Sequence, residues 1–170
     1  MVVDLSDRIA GQAAGTAPPM RATAAEDEPA ALVDRVRALY QRVDAEIAAR
    51  QPVCINRGTC CRFDAYGHRL YVTQVELDYF LLHQRPHGLR DVTTGACPYQ
   101  IAGRCTAREH RPLGCRIFFC DPNAQDWQPA LYERRLAELK QIGEELGIEY
   151  RYKEWLVALG RRGPCGDETC

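Results

Sequence analysis

The sequence lacks most of the features that place a chain in a large functional class. Its 170 residues hold no apolar run approaching the about 18 to 20 residues of a transmembrane helix, so we expect no membrane partner. The net charge of -1 provides no basic surface for nucleic acid, which we exclude as a partner. No phosphate-binding loop, dinucleotide fingerprint or nucleophile motif occurs. The partner expected is therefore a protein or small molecule that the sequence does not identify.

The start of the sequence also lacks the basic stretch and apolar segment of a secretory signal. We therefore expect the cytoplasm, where thiols stay reduced. Residues 1–28 are rich in Ala, Gly, Thr and Pro without an apolar period, which predicts a disordered leader. Residues 29–160 then form one small domain, and residues 161–170 an exposed tail that contains Cys165 and Cys170.

Cysteine is the one residue type present in unusual number. There are nine, so intramolecular disulfides cannot pair them all. In a reducing compartment, clustered cysteines are more often metal ligands or redox groups. Two alternatives stay open: a disulfide-rich protein outside the cytoplasm, and individual cysteines that serve only as small buried apolar residues.

The spacing of the cysteines favours iron over zinc. Structural zinc sites usually take ligands in close pairs with two to four intervening residues, and no C-x2-C pair occurs here. Iron–sulfur clusters accept thiolates from more dispersed loops, and the adjacent pair Cys60 and Cys61 is easier to place on several irons than on one zinc. The spacing does not exclude zinc.

Basic residues and a glycine accompany the cysteines. Four arginines close to cysteines in sequence are expected to surround the metal and offset the negative charge of its thiolates: Arg57, Arg62, Arg111 and Arg116. The alternative for each arginine is an exposed position on a solvated face. Gly58 is expected to let backbone N–H groups approach the sulfurs.

Apolar periodicity predicts helices on both sides of the cysteine-rich segment. We expect one helix from Pro29 to just before Cys54, one opened by a capping box at Thr73–Glu76 and ending near Leu82, and one from Pro129 to Leu146. Residues 66–72 suggest a small hairpin, residues 148–152 a strand and residues 153–159 a last helical piece. Residues 91–128 fit no regular element.

The predicted fold is a mostly helical α+β domain, with helices packed around irregular cysteine-rich loops that metal holds in place. His110 lies midway between two cysteines but is expected at the surface rather than as a ligand. Trp127 and Trp155 are expected in the core.

Two stretches resemble a known family. "CINRGTCCRF" and "CPYQIAGRCTAREHRPLGCRIFFC" are similar to the YkgJ-like cysteine-cluster proteins, a zinc- or iron-chelating domain of bacteria. The resemblance covers about residues 50–122, and its most specific part is the block "RPLGCR". Arg57 departs from the pattern because many relatives have a cysteine there, and Arg108 departs because an aromatic residue is common there.

The resemblance implies a metal site and its ligands. The implied ligands are Cys54, Cys60, Cys61, Cys97, Cys105, Cys115 and Cys120. The family pattern also reaches flagellin lysine methylases with an iron–sulfur cluster, which favours iron but does not transfer their reaction. We expect an iron–sulfur cluster of the 4Fe–4S type with a redox or oxidoreductase role. The alternative is a structural zinc module that presents helices to a protein partner.

Overall fold

The described part of the chain is mostly helical with two small sheets. The computed structural model describes residues 24–54, 58–84 and 92–160. In these ranges the helices are α1 (Ala24–Arg50), α2 (Phe63–Tyr66), α3 (Gln74–His83), α4 (Leu113–Ile117), α5 (Gln128–Glu145) and α6 (Trp155–Gly160). Two antiparallel pairs are formed by β1 (Tyr71–Thr73) with β4 (Tyr152–Glu154) and by β2 (Gln100–Ile101) with β3 (Arg104–Cys105). Of the predicted disordered leader, residues 1–28, the last five belong instead to α1, while residues 1–23 and the tail 161–170 lie outside the described residues.

Helix α1 carries the predicted apolar stripe. Its buried side chains are Leu32, Val36, Leu39, Tyr40, Val43 and Ile47, as the periodicity predicted. The helix begins at Ala24, so Pro29 lies inside it rather than in its first turn, where we expected it. As the sixth residue of α1, Pro29 cannot donate the hydrogen bond that would join its N–H to Ala25 O. After Arg50 the backbone turns at Gln51, whose φ is 50°.

The predicted capping box opens α3. Glu76 N donates to Thr73 Oγ1 (3.2 Å), and Glu76 Oε2 accepts from Thr73 N (2.8 Å). The Glu76 carboxylate is 1% exposed and also accepts from the Leu113 backbone N–H at 2.8 Å. One buried carboxyl therefore ties the start of α3 to the start of α4.

The predicted hairpin at residues 66–72 is wrong. Tyr66 ends α2, and Gly67 caps that helix with a φ of 65°. Strand β1 pairs instead with β4 from the C-terminal part of the domain, with Val72 opposite Lys153. The turn residues that suggested a hairpin are those that end a short helix.

The cysteine-rich segment contains short regular elements that the sequence did not predict. Strands β2 and β3 form a hairpin whose turn residues, Ala102 and Gly103, have φ values of 49° and 77°. Positive φ at both turn residues is typical of the tight turns that join antiparallel strands. Helix α4 follows in the same segment. Each element is short, so most of the segment is loop, as expected.

The C-terminal elements follow the predicted order with a shift. Helix α5 has Pro129 in its first turn and ends in paired bonds from Gly147 N to Glu144 O (3.2 Å) and from Ile148 N to Gly143 O (2.8 Å). The following strand is Tyr152–Glu154, later than the predicted residues 148–152. Helix α6 is Trp155–Gly160, so it begins two residues later and ends one residue later than the predicted residues 153–159.

Two apolar clusters form the core. The first joins α1, α3, α4 and α5, and Trp127 packs against it. The second surrounds Trp155, Phe80 and Tyr99, and Cys97 and Cys105 pack against its edge. Both tryptophans thus pack with the core, as predicted. No helix in the described ranges is long and apolar enough to cross a membrane.

Candidate metal centre

All seven implied ligands line one cavity of about 340 Å³, here called the sulfur cavity: Cys54, Cys60, Cys61, Cys97, Cys105, Cys115 and Cys120. They come from the segment after α1, the turn before α2, the loop before β2, strand β3, helix α4 and the segment after it. All seven are free thiols. Residues far apart in sequence therefore converge on one space.

Cys61 lies at the centre of the inner part of this cavity. It is 8% exposed, and its thiol hydrogen-bonds with those of Cys105, Cys60 and Cys97. These bonds raise the pKa of Cys61, because its proton is shared with three neighbours. The same bonds, as the largest cause, lower the pKa of Cys60 and of Cys105 to about 6. Cys61 therefore contacts three other thiols, and the pKa of Cys97 is lowered as well, so all three favour the thiolate.

The backbone holds the turn before α2 against the β2–β3 hairpin. Cys97 N donates to Cys61 O at 2.7 Å, and Gln100 Nε2 donates to Gly58 O at 2.6 Å. Gly58 has a φ of 67°, and a Cβ there would lie 2.4 Å from Gly103 O. Glycine is thus required by close approach to the hairpin as well as by its backbone conformation.

Cys115 joins the cavity from α4. Burial raises the pKa of the Cys115 thiol well above its usual value. The start of α4 is held by Glu76, which accepts a hydrogen bond from Leu113 N. The second half of α4 is held by Arg116, which donates to Asp44 on α1. The position of Cys115 therefore depends on buried polar contacts outside the cavity.

Cys54 and Cys120 lie at the exposed side of the cavity. Cys120 Sγ is 3.6 Å from Thr59 Oγ1, and Val53 N donates to Asp121 Oδ2 at 3.0 Å. These two contacts bring the segment after α1 to the segment after α4. Cys60 is exposed as well, so three accessible thiols border the cavity, while Cys61 is buried.

The four predicted arginines have different positions. Arg111 lines the sulfur cavity, and its charge contributes to the lowered pKa values of Cys60 and Cys105. Arg62 is exposed and does not line the cavity. Arg57 lies outside the described residues.

Arg116 is placed against α1 instead. It is 4% exposed, forms an ion pair with Asp44 at 2.6 Å, and its guanidinium lies 4.0 Å from the centre of the Tyr40 ring. Its Nε also donates to Arg111 O at 3.0 Å. Arg116 thereby fixes the backbone of the residue whose side chain reaches the cavity.

Two buried N–H groups of residues on the cavity wall, Arg111 Nε and Trp155 Nε1, have no oxygen or nitrogen acceptor within the described ranges. The Trp155 N–H faces the weak acceptor sulfur of Cys97. A hydrogen bond with Cys61, and more weakly the indole of Trp155, lowers the pKa of the Cys97 thiol. Buried donors without acceptors are costly, so this wall suits an occupant that accepts hydrogen bonds.

Among ligand types, the sulfur cavity offers thiols alone, because no described His, Asp or Glu side chain lines it. No group of three or more His, Cys, Asp or Glu side chains, among those described, is arranged to hold a metal ion. A single zinc requires thiolates about 2.3 Å from one point. The sulfur cavity instead spreads seven thiols around a wider space, with N–H donors facing it. Cysteine thiolates and N–H donors to sulfur are what iron–sulfur clusters use in proteins.

His110 is not part of this wall. Its ring stacks on His83, with centres 4.2 Å apart, and its Nδ1 is 3.4 Å from the Tyr79 hydroxyl. The side chain is 17% exposed, so the expected surface position is wrong. His110 packs where α3 ends because aromatic neighbours surround it.

Sequence reasoning missed the other residues of the cavity wall. Arg108 lines the sulfur cavity, although the sequence marked it only as a departure from the family pattern. Trp155, Phe80 and Tyr99 form an aromatic wall beside the inner thiols. No local signal in the sequence could join residues from α3, the loop before β2 and α6.

Comparisons of the chain with protein-family models, curated proteins and solved structures found no match. Function is therefore inferred from the residues and geometry of the cavity.

Proposed function

We propose that this chain binds an iron–sulfur cluster in the sulfur cavity and acts in electron transfer or oxidoreduction. The observation that carries the proposal is the convergence of seven cysteines from separate segments on one cavity of about 340 Å³. The resemblance of residues 50–122 to the YkgJ-like proteins favours the same assignment.

The four thiols grouped around Cys61 are the primary ligands in this proposal. Cys60, Cys97 and Cys105 each hydrogen-bond with Cys61, and four thiolates are the usual ligand set of a 4Fe–4S cluster. When bound, the cluster supplies one-electron transfer. Cys115 completes the inner wall.

The surrounding side chains have two roles. The unpartnered N–H groups of Arg111 and Trp155 donate to sulfur, which offsets negative charge and sets the reduction potential. Phe80 and Tyr99 belong to the buried apolar cluster against which Cys97 and Cys105 pack. The exposed thiols Cys54 and Cys120 leave the opposite side accessible to a partner.

Metal binding also serves folding in this account. Residues 92–121 contain only strands β2 and β3, helix α4 and short turns among the described elements, so few backbone bonds order them. Ligation of Cys97, Cys105 and Cys115 would supply the missing energy, because metal-binding energy is folding energy where the unfolded chain has no site. In this proposal, metal therefore holds the loops of residues 92–121 in place.

A structural zinc module is the second candidate, and one observation favours it. The contact of Cys61 with exactly the three thiols of Cys60, Cys97 and Cys105 resembles the four-thiolate set of a structural zinc site. In that case Cys54, Cys115 and Cys120 are not ligands. The module would then present its helices to a protein partner.

Absorption spectroscopy separates the two candidates. The protein is purified without oxygen and its visible spectrum recorded, together with those of Cys61→Ser and Ala124→Ser. Ala124 is 1% exposed and does not line the sulfur cavity, so its serine variant controls for a buried hydroxyl. We expect a brown protein whose colour is lost only in Cys61→Ser. Colour retained by Cys61→Ser, or a colourless parent protein, would contradict the cluster.

A further inference from the structure

A second cavity of about 420 Å³ opens beside the first. We call it the aromatic cavity, because its lining includes His68, Tyr71, Phe118, Tyr132 and Tyr152. Its size falls in the range of about 300 to 1,000 Å³ that is usual for small-molecule sites. Such sites are mostly apolar, with a few polar groups that orient the ligand, and this lining has that character.

The two cavities share a wall. Cys60, Phe63, Cys115 and Phe118 line both of them. Any compound in the aromatic cavity would therefore contact cysteines of the candidate metal centre. The binding argued below rests on the aromatic cavity itself and does not require that the metal be iron.

Several rings of the lining are both stacked and exposed. Tyr71 and Tyr152 stack with ring centres 5.4 Å apart and planes at 19°, and His68 and Phe118 lie 6.1 Å apart at 15°. Tyr71 and Tyr152 are each 43% exposed, and Phe118 is 51% exposed. Large apolar side chains grouped at an open cavity commonly mark a binding site. Their flat faces favour a flat aromatic ligand, because stacked rings attract beyond simple burial.

The polar groups of this cavity favour a neutral ligand. Arg69 already pairs with Asp64 and Glu154, so its charge is engaged, and Glu133, which also lines the cavity, disfavours an anionic ligand. The hydroxyls of Tyr132 and Tyr152 are 2.9 Å apart, and burial, the largest cause, raises the pKa of Tyr132, which keeps that hydroxyl protonated. A hydroxyl or carbonyl on the ligand can hydrogen-bond with this pair.

Gly114 brings helix α4 close to the lining of the aromatic cavity. A Cβ added to Gly114 would lie 2.9 Å from Leu70 Cδ1 and 3.9 Å from Tyr132 Cε2. A larger residue at this position would displace Leu70, so the glycine keeps this part of the lining in place.

We propose that the aromatic cavity binds a neutral, planar compound of one or two aromatic rings that carries a hydroxyl or carbonyl group at its edge. Bound there, the compound lies against Cys60 and Cys115. This assigns a small-molecule site next to the candidate metal centre.

Calorimetric titration of the full, anaerobically purified chain tests the proposal. The probe is 2-naphthol, and the comparison compound is decahydro-2-naphthol, which has the same hydroxyl on a saturated frame. We expect saturable binding of 2-naphthol at one site per chain, about three- to tenfold tighter than that of the saturated compound. Absence of saturable binding, or equal affinity for both compounds, would overturn the proposal.

Two variants and a matched control locate the site. Tyr152→Leu removes a stacking ring, and Tyr132→Phe removes only a hydroxyl. Tyr150→Leu is the control, because Tyr150 is 51% exposed and does not line the aromatic cavity. We expect 2-naphthol to bind about three- to tenfold more weakly to each of the first two variants and unchanged to the third. If Tyr132→Phe binds as tightly as the parent, or Tyr150→Leu as weakly as Tyr152→Leu, the assignment is wrong. These readouts are independent of metal content, so the cluster and this site can fail separately.

Discussion

Gly58→Ala would test whether the cysteine-bearing turn must lie against the β2–β3 hairpin. An added methyl would lie 2.3 Å from Gln100 Nε2 and 2.4 Å from Gly103 O. The glutamine side chain can move, but the Gly103 carbonyl belongs to the turn of the hairpin that carries Cys105. The substitution should therefore push Cys105 away from Cys60 and Cys61.

Gly67→Ala is the matched control. Gly67 has a φ of 65°, close to the 67° of Gly58, but a Cβ there meets nothing within 4 Å. Alanine in this conformation costs about 1 to 2 kcal/mol at either position. At Gly58, overpacking adds about 1 to 3 kcal/mol, and loss of the Gln100–Gly58 bond adds about 1 kcal/mol. We expect Gly58→Ala to be about 2 to 4 kcal/mol less stable than Gly67→Ala.

Thermal unfolding of the two variants, followed by circular dichroism without oxygen, measures this difference. For a chain of this size about 2 to 4 kcal/mol corresponds to a Tm lower by about 4 to 16 °C. Bound metal per chain should fall in Gly58→Ala and stay unchanged in Gly67→Ala. Equal Tm values and equal metal content would refute the close approach on which the site depends.

Three further results are expected. Removal of metal by a chelator under reducing conditions should make residues 92–121 sensitive to protease, while α1 and α5 stay protected. Full protection of residues 92–121 would show that metal is not needed to order them. A hydrogen bond with Arg135, as the largest cause, lowers the pKa of Glu46 to about 2. The ionised Glu46 therefore stabilises the fold above its ordinary pKa of 4.5, and this contribution is lost as the pH falls towards 2. Glu46→Gln should lower the Tm at pH 7, and the difference in Tm from the parent protein should shrink below pH 4.5. A deficit that is constant with pH would contradict that pairing. Trp155→Phe keeps an aromatic ring but removes the N–H that faces the sulfurs, so the reduction potential of the metal centre should become more negative. Trp127→Phe should leave the potential unchanged. Equal potentials in Trp155→Phe and the parent protein would exclude the indole as a donor.

Local signals made the helices predictable. The stripe of α1 and the Thr73–Glu76 box involve residues three or four apart, so the sequence alone displays them. The pairing of β1 with β4 was not predictable, because each strand has three residues and the partners lie far apart in the chain. A strand of three residues is too short to show an alternation of apolar and polar side chains.

The residue types of the site were predictable, but its surroundings were not. Clustered cysteines pointed to metal chemistry, and the family resemblance selected seven of them. Arg111 and Arg116 look equivalent in sequence, yet one lines the cavity and the other pairs with Asp44 on α1. The aromatic cavity depends on Tyr71, Tyr132 and Tyr152 from three elements, and only tertiary packing brings these together.

The central claim is that the sulfur cavity holds an iron–sulfur cluster, and metal analysis tests it most directly. The full chain is purified without oxygen, and iron, acid-labile sulfide and zinc are determined per chain. The account predicts iron and sulfide in nearly equal amounts, about four of each for a 4Fe–4S cluster, with little zinc. About one zinc per chain with no iron or sulfide, even after anaerobic reconstitution with both, would contradict it.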